Sequence, residues 1–329
     1  MDKPSARDYI FPRPKARRWT SCSGMIAFPM VHAGEEIDQS QREHRLALGA
    51  VILSALIFAT STVVIKVVLT YTGPFTAAGL RYLIAFAFLF LWLRVRRETS
   101  PPPTRSHWVR FVLIGLCMTI ASGSLFLALK TLSPTTASLA FCLTPIPTLL
   151  FGVLWLKEHP SLPQLLGLAL AIGGIALFFS PRWEGGQALA IGLLLLFILG
   201  DTSGVVIARE VARHRRIGSI TLTAYPIGIS GVLLFSLGVG VEGMPHMPLS
   251  AWGIIIGLAI VNTGIAYLLF YHSLRYLTAI KAYVVTNLSP FGTALIAWAA
   301  FGERLLPLQI VAMLLAVTGV SLVQYRKRK

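Results

Sequence analysis

Asp201 is a lone carboxylate some thirteen residues into the apolar run from 188 to 208. At a rise of 1.5 Å per helical residue it falls near the middle of a bilayer, where a charged side chain costs ~2.5–3.5 kcal/mol to insert. Two chemistries meet that cost: a cavity-facing group that binds an amine or carries a coupling proton, or a structural ion pair or cap inside a helix bundle. Arg81 is its counterpart, seven residues into a span that starts at Pro74 and so about 10 Å deep, beyond comfortable snorkelling. A fixed, planar guanidinium suits two-point recognition of a carboxylate; an ion pair with Asp201 is the competing reading. Asn262 and Asn287 add amides at membrane depth, beside Thr144, Thr263 and Ser289. The two asparagines are read as contacts to a bound solute, and Thr144 and Thr263 as bonds between helices, which are weak in membranes. Tyr267 and Tyr271, one turn apart, could wall an aromatic site. Lys66 is read as reaching the interface along its own stem, and Arg209-Glu210 as an interfacial ion pair.

Those groups must be held by membrane-spanning elements. The chain has 329 residues, 55% hydrophobic and 13% charged, with a mean hydropathy of +0.72, more apolar surface than a single soluble core hides. A bilayer's hydrocarbon takes about 20 helical residues to cross. Ten runs qualify, at 46–69, 74–93, 108–129, 131–155, 161–180, 188–208, 218–240, 251–271, 280–301 and 305–325. Pro145 and Pro290 break the backbone ladder within the fourth and ninth runs and are read as hinges, because freed carbonyls at depth are tolerated where they line a watery cavity.

The basic residues give the orientation. With the N-terminus inside, 24 of the 29 lysines and arginines fall on the cytoplasmic side, against Lys130, Arg182 and Arg304 outside and Lys66 and Arg81 within spans. Both termini are then cytoplasmic. The same distribution argues against nucleic acid as the partner of the +16 charge, since the basic residues sit in short loops between apolar spans. Cys22, Cys117 and Cys142 have no paired spacing. No Walker sequence or dinucleotide fingerprint is present, so primary ATP-driven transport has no engine here, and neither cofactor nor metal is expected. Residues 1–45, with four prolines, eight basic and six acidic residues, read as a disordered basic tail; 326–329 read as a basic anchor.

A duplication organises the remainder. Leu143-Thr144-Pro145 through Glu158 recurs 145 residues on as Leu288-Ser289-Pro290 through Glu303, with Thr148 matching Thr293, Gln164 matching Gln309 and Gly174 matching Gly319. A weaker echo links Thr60-Ser61-Thr62 to Thr202-Ser203-Gly204. An offset of five spans is odd, so the second copy must enter the bilayer upside down. Inverted repeats of this kind permit alternating access around a midplane site.

The block from Ala128-Leu129-Lys130 through Leu132-Ser133-Pro134 to Lys157-Glu158, its counterpart Asn287 to Arg304, and Pro74 followed by Arg81-Tyr82 resemble the drug/metabolite transporter superfamily, specifically its EamA-like ten-helix branch, over residues 46–325. Lys157-Glu158 departs from the Gly-Glu usual in that family, which Gly302-Glu303 keeps. The resemblance implies an all-α polytopic fold of two inverted five-helix repeats, 46–180 and 181–325. It also implies a secondary transporter, an exporter of small metabolites such as amino acids or related amphipathic compounds. A nucleotide-sugar or phosphorylated-metabolite exchanger is the alternative, and a membrane-embedded lipid-modifying enzyme ranks below both, so the chain is expected not to be an enzyme. Expected partners are a small-molecule substrate and the lipid bilayer, with a homodimer left open; the expected location is the bacterial cytoplasmic (inner) membrane.

Overall fold

In a computed structural model the described residues are 30–96, 103–144, 146–148, 150–151, 162–179, 188–287, 289–302 and 306–323. They are helical, with no strand among them. The contacts separate Met1–Gln41 from Arg42–Lys329, and the packing below is that of the second unit. The helices are α1 (Met30–Val68), α2 (Pro74–Arg96), α3 (Arg105–Thr131), α4 (Pro134–Leu139, continued by a 3-10 turn Ala140–Leu143), α5 (Leu162–Phe179), α6 (Ala188–Arg213) and α7 (Ser219–Glu242). They continue as α8 (Leu249–Ser273), α9 (Ala279–Thr286), α10 (Ser289–Phe301) and α11 (Pro307–Val323).

Among the described residues six helices are long and apolar enough to cross a membrane: Gln41–Val68, Pro74–Val95, Arg105–Thr131, Ala188–Arg213, Ser219–Glu242 and Leu249–Ser273. Each covers one of the expected spans. Helix α1 begins at Met30, ahead of the expected boundary at 46; Glu, Gln and Arg are good helix formers, so polarity alone does not end the helix. The fourth and ninth spans are not single rods. The fourth is α4, the 3-10 turn and fragments beyond it, with Pro145 outside the described residues. The ninth is split into α9 and α10, and Pro290 occupies the first turn of α10, where its missing N–H is no loss.

Helix pairing follows the duplication. Each of α2 and α7, α4 and α10, and α5 and α11 pack together, and the members of each pair are the same span in the two copies. The pair α3 and α7 has its counterpart in α8 and α2. Two end contacts repeat as well. The Lys66 ammonium donates to the carbonyls of Leu129 (2.6 Å), Leu132 (3.0 Å) and Lys130 (3.3 Å), closing the C-terminus of α3. The Arg209 guanidinium donates to the carbonyl of Leu274 (2.5 Å), just past α8, and Leu274 lies 145 residues after Leu129. Cations at helix C-termini complement both the orphan carbonyls and the helix dipole. Lys66 is thus a cap and not a snorkelling residue, while Glu210 pairs with Arg213 (2.6 Å) in place of Arg209.

Glycine lets the central pair close. A Cβ at Gly79 would lie 2.4 Å from the Phe235 nitrogen, and one at Gly238 2.5 Å from that of Thr76. The Glu242 carboxylate, ending α7, accepts from the backbone N–H groups of Phe75 (2.9 Å) and Thr76 (2.8 Å) at the start of α2, an anion at a helix N-terminus.

Candidate functional site

The helices that carry the mid-membrane polar residues are also the irregular ones. In α8 the stretch Leu258–Ile265 widens into a π-helix, a form that concentrates at functional sites. It carries Asn262, whose amide donates to the Ile57 carbonyl (2.8 Å) and the Thr60 hydroxyl (2.6 Å) of α1. Thr144 and Thr263 bond back to their own helices, at Phe141 O (2.7 Å) and Leu258 O (3.3 Å), and do not donate across helices as expected. Local carbonyls freed by a 3-10 turn and a π-stretch outcompete a partner on another helix. The Thr144 carbonyl still receives the Thr202 hydroxyl of α6 (3.3 Å), and in the other copy Thr293 of α10 donates to the Ala59 carbonyl of α1 (2.8 Å).

Between these elements lies a cavity of about 60 Å³, lined from both copies. Arg81, Asp201, Asn262 and Tyr267 all face it, so four of the six residues expected at the site converge on one space. The Asp201 carboxylate accepts the Tyr283 hydroxyl at 3.0 Å. No ion pair reaches either Asp201 or Arg81 among the described residues, which removes the expected competitor, a structural Arg81–Asp201 bridge. The Arg81 guanidinium lies over the Tyr82 ring at 4.8 Å and the Phe126 ring at 5.1 Å. Rings stabilise a cation that has lost its water, but among the described residues the buried Nε has no acceptor.

Asn287 and Tyr271 are not among the residues lining the cavity. Asn287 is 2% exposed; with its amide turned so that nitrogen meets the neighbouring acceptors, it donates to the carbonyls of Phe141 (2.9 Å) and Tyr283 (3.2 Å). It thereby ties the 3-10 turn after α4 to the break between α9 and α10, one discontinuity from each copy. Tyr271 points its hydroxyl at the Met118 sulfur (3.9 Å) and sets its ring edge-on to Tyr267, centroids 5.9 Å apart. Both support the lining from behind. Replacing Asn287 by Ala removes two buried hydrogen bonds, each worth ~1 kcal/mol. The expected result is a lower unfolding midpoint in detergent, with the relative rates of transported solutes unchanged.

Several lining residues escaped the sequence reading: Ser61, Thr62, Ser122, Phe58 and Tyr283. The hydroxyls are ordinary in apolar helices and drew no notice. The repeat held a signal for Ser61 and Thr62, since they belong to the Thr60-Ser61-Thr62 echo. Tyr283 had one too, as the hydrogen-bonding side chain four residues before Asn287. Groups of His, Cys, Asp and Glu able to hold a metal are absent among the described residues.

The sequence pattern of the EamA-like transporter family matches the chain twice, over residues 45–180 and 188–325. Among similar proteins is an uncharacterized transporter of Archaeoglobus fulgidus, 26% identical over 281 residues, covering 82% of this chain and 94% of that one. Another is the uncharacterized transporter YyaM of Bacillus subtilis, 25% identical, covering 78% and 86%. A crystal structure superposes with a TM-score of 0.64 at 18% identity, over 84% of this chain and 96% of the other, a likeness of fold. The family match over both halves of the chain, with the apolar helices, makes this chain a member of the EamA-like transporter family, a multi-pass integral protein of the cytoplasmic (inner) membrane.

Proposed function

We propose that the chain is a secondary transporter that exports small metabolites, amino acids or related amphipathic compounds, by alternating access between two inverted five-helix repeats of a ten-span fold with both termini cytoplasmic. The observation that carries this reading is the cavity itself: it holds one cation and one anion that do not neutralise each other, and both copies line it. Charges left unpaired in a low-dielectric interior are expensive, and a solute bearing the complementary charges offsets that cost. Helix pairs that repeat under the duplication support the inverted arrangement, and the basic residues, 24 of them on one side by count, support the orientation.

A nucleotide-sugar or phosphorylated-metabolite exchanger would need several cations around its site. Arg81 is the single Lys or Arg among the lining residues, Lys66 being engaged on the end of α3. The test is reconstitution in liposomes with a panel of amino acids, amines and nucleotide sugars, with and without a pH gradient. Saturable flux of amino acids or amines is the expected result. Flux confined to nucleotide sugars would favour the exchanger, and no flux of any solute would overturn transport altogether.

A further inference from the structure

Six buried side-chain polar atoms lack a hydrogen-bond partner among the described residues, and four of them belong to residues lining the cavity: Ser61 Oγ, Thr62 Oγ1, Arg81 Nε and Ser122 Oγ. The residues are 6%, 0%, 4% and 4% exposed. Buried polar groups are nearly always satisfied in native proteins, so each exception asks for an explanation; four around one chamber ask for a shared one. They come from α1, α2 and α3, all in the first copy. Each can donate, and the guanidinium carries a fixed charge as well. The group that satisfies all four at once is an anionic acceptor. To the same chamber the second copy supplies the opposite: the Asp201 carboxylate, which accepts one hydrogen bond among the described residues, from Tyr283, still has acceptor capacity for a cationic donor.

We propose that Ser61, Thr62, Arg81 and Ser122 form an oxyanion seat that takes the carboxylate of a zwitterionic metabolite whose ammonium faces Asp201. The proposal rests on the transporter reading and narrows its substrate class. A carboxylate matches the seat in charge and shape: it is planar, bears one negative charge against one guanidinium, and accepts side-on from Nε and Nη together. A phosphate monoester brings close to two charges and would leave one uncompensated. Asp201 makes a second anion less welcome still. The chamber's rings, Phe58, Tyr267 and Phe270 among them, receive the apolar body between the two poles.

The test measures ligand-induced stabilisation and counterflow on the purified full chain, using phenylalanine and leucine, their methyl esters, 3-phenylpropionate and phenyl phosphate as probes. In the unaltered protein the free amino acids are expected to outcompete their esters by at least ~10-fold, the weight of a charge-assisted two-point hydrogen bond. Arg81→Gln is expected to erase that preference. Thr62→Val, which keeps the shape, and Ser122→Ala are each expected to weaken the acids several-fold, more than they weaken the esters, and so to narrow the preference for acid over ester. Unfolding midpoints identify any variant that loses its fold, and Thr62→Val then carries the comparison. Equal binding of acid and ester, a preference that survives Arg81→Gln, or tighter binding of phenyl phosphate would each overturn the seat. If esters or amines flow and amino acids do not, transport stands and the seat falls; if nothing flows, the transporter reading falls first.

Discussion

Asp201→Asn is expected to reduce flux of an amino-acid or amine substrate by about 100-fold or more while leaving the protein folded in the membrane. Truncating one partner of a buried, hydrogen-bonded charge pair costs ~2–5 kcal/mol, much of it the penalty of stranding the other charge, and ~1.4 kcal/mol is a factor of ten. Here the stranded charge is the ammonium of the solute. The fold itself should tolerate the change, because Asp201 forms no ion pair among the described residues and the amide oxygen can still accept from Tyr283, now 3.0 Å away. Tyr283→Phe separates the two roles of the pair. It removes a neutral donor, keeps the carboxylate, and should cost only a few-fold, in line with ~1 kcal/mol for an ordinary hydrogen bond. The measurement is initial counterflow rate in liposomes at matched protein content. Asp201→Asn at the rate of the unaltered protein would remove Asp201 from the site.

The spans were legible because their signal is additive. Each of the six long helices contains a run of apolar residues whose summed burial in lipid exceeds what any local feature opposes, and the expected positions follow them closely. Interruptions were legible in part. Proline marks where a ladder breaks, and the break before Pro290 was readable from the residue alone, but the π-stretch of α8 has no proline and no composition that distinguishes it. Within it Asn262 bonds to α1, a tertiary contact that the sequence does not display. The same division runs through the site. Arg81 and Asp201 were found because a charge at depth is conspicuous in any apolar run, whereas Thr62 and Ser122 are cheap in a helix and become notable only once their neighbours fail to satisfy them. Asn287 failed in the opposite direction. It is as polar as Asn262 but sits 145 residues after Cys142, where the Phe141 carbonyl of the other copy and the Tyr283 carbonyl of its own both claim its amide. Polarity at depth therefore names candidates; which of them face the cavity is decided by the tertiary packing around each.

The alternating access proposed above requires the two copies to rock without coming apart, and the contact at which that demand is hardest to meet is α2 against α7. Their closeness depends on Gly79, Gly231 and Gly238. In a bilayer no hydrophobic force pulls helices together, since lipid tails are as apolar as side chains, so close backbone approach through small residues is a principal source of association. Gly79→Leu should therefore be the most damaging single substitution outside the chamber. Even its Cβ would fall 2.4 Å from the Phe235 nitrogen and 2.5 Å from its Cα, backbone atoms of a continuous helix that cannot step aside as a side-chain tip can. Overpacking typically costs ~1–3 kcal/mol, and the expected result is an unfolding midpoint in detergent lowered by roughly 5 °C or more, with little flux recovered. Gly192→Ala, in α6, is the matched control: nothing lies within 4 Å of its added Cβ, and alanine is the better helix former by ~1 kcal/mol, so that variant should be unchanged or slightly more stable. A Gly79→Leu protein as stable as the Gly192→Ala protein would mean that α2 and α7 do not meet as closely as described, and the pairing of corresponding helices would lose its central contact.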